Sequence, residues 1–201
     1  MSQYRSWLIV LLLAVQGCAM RSPAPCQTSD WYAMGYQDAV TGRVAGPHSC
    51  ADGVTDAALD EYGLGRQAGL LEYCQAENGL RLGNEGQEYQ GVCDGATEAE
   101  FLRAYRQGKA MHDVKAQIQR LGAILGVTQS ERDSIGRRIR QKQTELGQSR
   151  ADLETDAVLR AELRELEETK AMVEDEIEAI QAALHEQQAQ LMQLRETSRR
   201  R

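Results

Sequence analysis

Three times along this chain an aromatic residue is followed by glycine at the third position: Tyr32 by Gly35, Tyr62 by Gly65, and Tyr105 by Gly108. On a helix, residues three apart share a face. A bare glycine there opens a notch into which a neighbouring helix can settle, at a cost of about 1 kcal/mol in helix propensity. Three such phrases predict three helices packed on one another through these notches. Four of the five cysteines, Cys26, Cys50, Cys74 and Cys93, punctuate the same stretch. The phrases and the cysteines together define the organising unit of the chain.

The segment before this unit, Met1 to Cys18, reads as a secretory signal. Arg5 supplies a positive start, and Trp7 to Val15 form an apolar run far shorter than the roughly 20 residues that span a bilayer. The run closes in Val15-Gln-Gly-Cys18, which resembles the lipobox of bacterial lipoproteins, where the cysteine carries the lipid. Val15 and Gln16 depart from the usual Leu and small residue, and a plain secreted or soluble periplasmic protein is the alternative. Lipidation at Cys18 implies a membrane partner, and Ala19 after it implies the periplasmic face of the bacterial outer membrane. Acyl chains contributing about 0.8 kcal/mol per buried methylene would anchor it firmly. Residues 19–29, with Pro23 and Pro25, form a tether.

An oxidising compartment makes two disulfides the simplest use of Cys26, Cys50, Cys74 and Cys93. Three pairings are possible. Thr55 to Tyr73 reads as one helix capped by Thr55 or Asp56, about 28 Å long. Bridged Cα atoms lie about 5.5 Å apart, so Cys50 with Cys74 is disfavoured. Cys26–Cys50 with Cys74–Cys93 is preferred slightly over the crossed pairing. Residues 77–92, crowded with Gly79, Gly83, Gly86 and Gly91, read as a loop.

Several phrases now stand in order: Trp31-Tyr-x-x-Gly-Tyr-x-Asp38, Tyr62-x-x-Gly-Arg-x-x-Gly-Leu70, Tyr73-Cys74, Glu77-Asn-Gly-Leu-Arg-Leu-Gly83, Tyr89-x-Gly-Val-Cys93 and Phe101-x-x-Ala-Tyr105-x-x-Gly108. In combination they resemble bacterial lipoproteins of domain-of-unknown-function family 2799, over about residues 26–112. Asp94 stands where proline is expected. The resemblance implies an envelope lipoprotein with a disulfide-stabilised domain, and it brings no catalytic residue with it.

Beyond Thr97-Glu-Ala-Glu100, which matches a capping box, the helical pattern runs to about Gly147. Val114, Ile118, Leu121, Leu125, Ile135, Ile139 and Leu146 follow steps of three and four, with Thr128, Arg132 and Lys142 interrupting the seam. A second series runs from Leu159 through Leu163, Leu166, Val173, Ile177, Ile180, Leu184 and Leu191 to Leu194. Both series match heptad seams, but they do not share a register. A turn near residue 151 would fold them into an antiparallel hairpin in which facing residue numbers sum to about 302. That register sets Arg132, Arg137, Arg138, Arg140 and Lys142 opposite Glu162, Glu165, Glu167 and Glu168. The rival is one continuous helix in a parallel oligomer.

The expected class is therefore all-α: a small disulfide-stabilised helical domain followed by a long antiparallel coiled-coil hairpin. Its segments are a signal peptide (1–18), the tether (19–29), a cysteine-framed domain (30–112), the hairpin (113–196) and a basic tail (197–201). Nothing in the pattern points to an enzyme. His48, His112 and His185 lie far apart, Asp52, Asp56 and Asp60 read as a solvated helix face, and no metal or cofactor is implied. The net charge of −7, without a basic-aromatic pattern, argues against nucleic acid. The expected role is a structural or protein-interaction module, with an envelope protein or a second copy on the coiled coil. The alternative is a small-ligand module in a glycine-notched cleft, marked by exposed aromatics at Trp31, Tyr36 and Tyr89.

Overall fold

The computed structural model describes residues 30–46, 54–148 and 153–200. Cys18, Cys26, Cys50, His48, Asp52, the signal and tether segments and the turn near residue 151 lie outside the described residues. Five helices occupy the described chain: α1 (Trp31–Val40), α2 (Asp56–Tyr73), α3 (Ala76–Glu85), α4 (Gly95–Gln148) and α5 (Leu153–Arg199). They fall into two compact units. One holds α1 and α2, the other α3, α4 and α5. This division at Tyr73 and Cys74 differs from the expected boundary at residue 112, which lies inside the unbroken helix α4.

In the first unit, Asp30 starts α1 by accepting a hydrogen bond from Ala33 N at 2.9 Å. Thr55 does the same for α2, with Ala58 N donating to its Oγ1 at 3.3 Å; these side chains satisfy amide donors that a helix start leaves open. The buried face of α2 consists of Ala58, Tyr62, Gly65, Gly69 and Tyr73. Leu59, Leu64 and Leu71 are exposed. Steps of three and four thus select the small and tyrosine residues, and the leucines lie outside the packed stripe. Contacts advance in the same direction along both helices: Gly65 lies against Tyr32, Gly69 against Tyr36 and Ala39, and Gly42 against Tyr73. The two helices therefore run parallel.

The second unit begins with α3, in the stretch expected to be a loop. Its glycines explain the difference. Gly79 and Gly83 are buried against α4, while Gly86 closes the helix in the left-handed region, at φ 73°, where glycine carries no Cβ penalty. Gly79 meets Phe101, Gly83 meets Tyr105, and Gly86 meets His112, so α3 and the start of α4 also run parallel. A disulfide joins Cys74 to Cys93 with Cα atoms 5.7 Å apart. It ties together the two ends of the segment that contains α3. Helix α4 begins at Gly95 with Glu98 N bonded to the Asp94 carbonyl, two residues before the expected capping box.

The remainder of α4 and all of α5 form the antiparallel hairpin. At 1.5 Å per residue, the 54 residues of α4 extend about 80 Å. Ile135, Ile139, Leu163, Leu166, Val173 and Ile177 form one buried cluster, with Leu125 and Leu146 packed against it. Met111, Val114 and Leu191 form a second with Leu80, Ile118 and Leu194. Ile139 with Leu163, Leu125 with Ile177 and Met111 with Leu191 each sum to 302 and each share a cluster, as the fold-back register requires. Thr128 sits in this seam, buried, and bonds its hydroxyl to the Ile124 carbonyl at 3.1 Å, which satisfies it without a cross-helix partner.

Candidate functional site

Each compact unit is built around a reciprocal pair of notches. A methyl group placed on Gly35 would overlap the Tyr62 carbonyl, and one on Gly65 would overlap the Tyr32 carbonyl. The second unit repeats the arrangement. Gly83 lies against the Tyr105 carbonyl and Gly108 against the Leu80 carbonyl. Glycine at the third position therefore receives the backbone of the first residue of the partner phrase. Backbones this close form Cα–H···O contacts, each worth about 0.5–1 kcal/mol.

This pairing corrects the expectation that the three aromatic phrases pack on one another. Tyr32–Gly35 interlocks with Tyr62–Gly65, whereas Tyr105–Gly108 interlocks with Leu80–Gly83. The fourth phrase carries leucine where the others carry tyrosine, so a search for aromatics passes over it. The Tyr32 ring itself is half exposed, because its carbonyl makes the contact.

The tyrosine hydroxyls tie helices to one another and to the connecting segments. Tyr62 donates to Asp38 Oδ2 at 2.9 Å and accepts from Gly46 N at 3.4 Å. Burial is the main cause that raises its pKa, with the Asp38 carboxylate adding to it. Tyr36 donates to Glu72 at 2.7 Å, and that bond raises its pKa. In the second unit Tyr105 donates to the Gln87 carbonyl at 2.8 Å. Tyr89 accepts from Cys93 N at 2.8 Å and donates to Glu98 at 3.1 Å. Its ring packs on Phe101 with centroids 4.8 Å apart, and Phe101 is fully buried. Trp31 is buried with Ala58 and Tyr62. Trp31 and Tyr89 thus serve packing, and neither forms the open aromatic face expected of the ligand-binding alternative.

The hairpin offers a different surface. Of the expected ion pairs between α4 and α5, Lys142 with Glu162 forms, at 2.8 Å. Glu162 and Glu145 together raise the Lys142 pKa. Arg132 pairs instead with its neighbour Asp133, and Lys170 with Glu174. Arg137, Arg138 and Arg140 are exposed and in no ion pair among the described residues, as are Glu165, Glu167 and Glu168. On the open side of α4, Ile124 and Val127 are 48% and 70% exposed. Gly122 and Gly126 beside them have open space where a side chain would stand.

Among the described residues no group of three or more His, Cys, Asp or Glu side chains is placed to hold a metal ion. His112 lies against Gly86 and His185 is exposed. No described helix is long and apolar enough to cross a membrane.

The fold and its seams define a class: an all-helical protein in which glycine-locked parallel helix pairs precede a long antiparallel hairpin. A family match falls on the first part. Residues 30–110 match the family model described as "Protein of unknown function (DUF2799)", as the ordered phrases implied. The match ends within α4, so most of the hairpin lies beyond it. No curated protein and no solved structure matches the chain.

Proposed function

We propose that this chain is a non-enzymatic cell-envelope lipoprotein, anchored through Cys18 at the periplasmic face of the outer membrane, whose hairpin is a contact surface for a protein. The observation that carries the reading is the open face of α4 at Ile124 and Val127. The opposite face of the same helix is filled by the seam with α5. Leaving these two apolar side chains half to two-thirds in water on a rigid helix forgoes roughly half to two-thirds of the about 1.5–3 kcal/mol that full burial of each would contribute, which a docked partner would recover. Unpaired arginines on α4 and unpaired glutamates on α5 add charge that can select and orient that partner.

A pull-down from envelope extracts compares the full chain, the double variant Ile124→Glu/Val127→Glu, and a chain lacking residues 114–196. The reading expects partner capture by the full chain and its loss in both variants. Unchanged capture by the shortened chain would refute it. Mass spectrometry of the mature N-terminus tests the anchor, and an unlipidated chain starting at Ala19 would refute lipidation.

A further inference from the structure

The open side of α4 at Ile124 and Val127 carries a further pattern, which rests on the contact reading above and specifies the partner. Arg120, Ile124, Val127 and Glu131 follow at steps of four, three and four, so they form one stripe along the helix. All four are exposed. The same stepping continues the stripe through Gln117 and Asp113 at one end and through Ser134 and Arg138 at the other. Of these outer residues Gln117 is half-buried and the rest are exposed. The stripe runs beside the seam with α5, to which Leu125 and Ile135 belong.

The order of residues in the stripe is complementary to its own reverse. Laid antiparallel on a second copy about a two-fold axis midway between Ile124 and Val127, it brings together residues whose numbers sum to 251. Ile124 meets Val127, Arg120 meets Glu131, Gln117 meets Ser134 and Asp113 meets Arg138. Each meeting occurs twice, as a two-fold contact requires. Apolar residues lie on apolar, neutral polar on neutral polar, and every charge on its opposite. A parallel pairing would set Arg120 on Arg120 and Glu131 on Glu131, so the pattern selects direction as well as register. Arg120, Glu131 and Arg138 form no ion pair among the described residues, while Asp113 takes Lys109 on its own helix.

We propose that the partner of this face is a second copy of the chain, docked α4 against α4 in an antiparallel, two-fold contact. Ile124 and Val127 of both copies supply the burial. The flanking charges supply orientation and register, since exposed ion pairs add little stability. Residues 113–138 extend about 39 Å, and a contact one helix wide over that length lies at the small end of specific interfaces. The dimer is therefore weak and reversible, with a Kd of about 10 μM.

The test is sedimentation velocity of the mature chain carrying Cys18→Ser, which removes lipid and a further thiol as causes of association. Monomer and dimer should exchange between about 1 and 100 μM, and Ile124→Glu/Val127→Glu should leave monomer throughout. Arg120→Glu and Glu131→Arg should each weaken self-association about 10-fold or more, because each sets like charges together twice. Mixing these two variants should restore the dimer, since each altered residue then meets its opposite on the other copy. A folding defect cannot be repaired by mixing. A wild-type chain that stays monomeric at about 100 μM would overturn the proposal. A dimer indifferent to Ile124→Glu/Val127→Glu, or no recovery on mixing, would overturn it too. The envelope pull-down separates this failure from failure of the contact reading. A monomeric chain whose capture of another protein is lost in Ile124→Glu/Val127→Glu overturns the second copy and keeps the contact face, whereas unchanged capture overturns both.

Discussion

Helix α4 is packed in two ways along its length. Near its start, α3 lies along it backbone to backbone, and Gly83, Gly108 and Gly79 supply the space. Further along, α5 lies against it through Ile135, Ile139, Leu163, Leu166, Val173 and Ile177. The first contact depends on the absence of atoms and the second on their presence. A helix of 10 residues such as α3 offers few side chains to bury, so close backbone approach and the Cys74–Cys93 link compensate. A helix of 47 residues gains enough from repeated apolar layers to need neither.

The contrast is sharpened by substitutions, and the largest effect belongs to the seam. Ile139→Ala, which leaves a cavity among buried aliphatic side chains, should cost about 3–4 kcal/mol, read as lost hydrogen-exchange protection along both hairpin arms. Wild-type protection there would show that the seam is not the hairpin's core. Next comes the disulfide: Cys74→Ala/Cys93→Ala opens a link spanning 19 positions and should cost about 3 kcal/mol. That loss should be concentrated in α3 amides, because the hairpin has its own core, and equal loss in α5 would break the comparison. Gly83→Ala ranks third. Overlap with the Tyr105 carbonyl and with Lys109 N, 2.7 Å from the added carbon, outweighs alanine's gain of about 1 kcal/mol in propensity. The net loss should be about 2 kcal/mol.

The smallest effect is electrostatic and lies in the seam. Lys142 has its pKa raised above 10.5 by Glu162 and Glu145, so its contribution is complete below 10.5 and disappears as pH rises through the raised value. Glu145 has its pKa lowered below 4.5 by Gln141 and Lys142. Its contribution holds above 4.5 and disappears as pH falls through the lowered value. Comparing melting of wild type and Lys142→Met across pH should show a small gap at neutral pH that closes beyond both limits. A gap that persists in strong alkali would assign the effect to packing of the lysine stem instead.

The hairpin was legible in the sequence because heptad spacing reports side chains, and side chains make that contact. Its register followed from the expected turn near residue 151, which sets Ile139 opposite Leu163. Charge was a poorer guide: Lys142 found Glu162, but Arg132 paired with adjacent Asp133, since exposed ion pairs contribute too little to dictate a register. The glycine contacts were half legible. Tyr62–Gly65 and Tyr32–Gly35 announced themselves by repetition, while Leu80–Gly83 was hidden in a stretch whose glycine content reads as loop. Composition cannot distinguish a glycine that breaks a helix from one that admits a neighbour.

One helix holds both kinds of glycine, and this gives the most direct test of the two-mode account. Gly108 faces the backbone of α3 at Leu80 and Asn84, whereas Gly126 faces open space. The measurement is the change in local stability caused by Gly108→Ala and by Gly126→Ala, each read by native-state hydrogen exchange around its site. The account predicts opposite signs: a loss of about 2 kcal/mol at 108 and a gain of up to about 1 kcal/mol at 126. Effects of the same sign would contradict it.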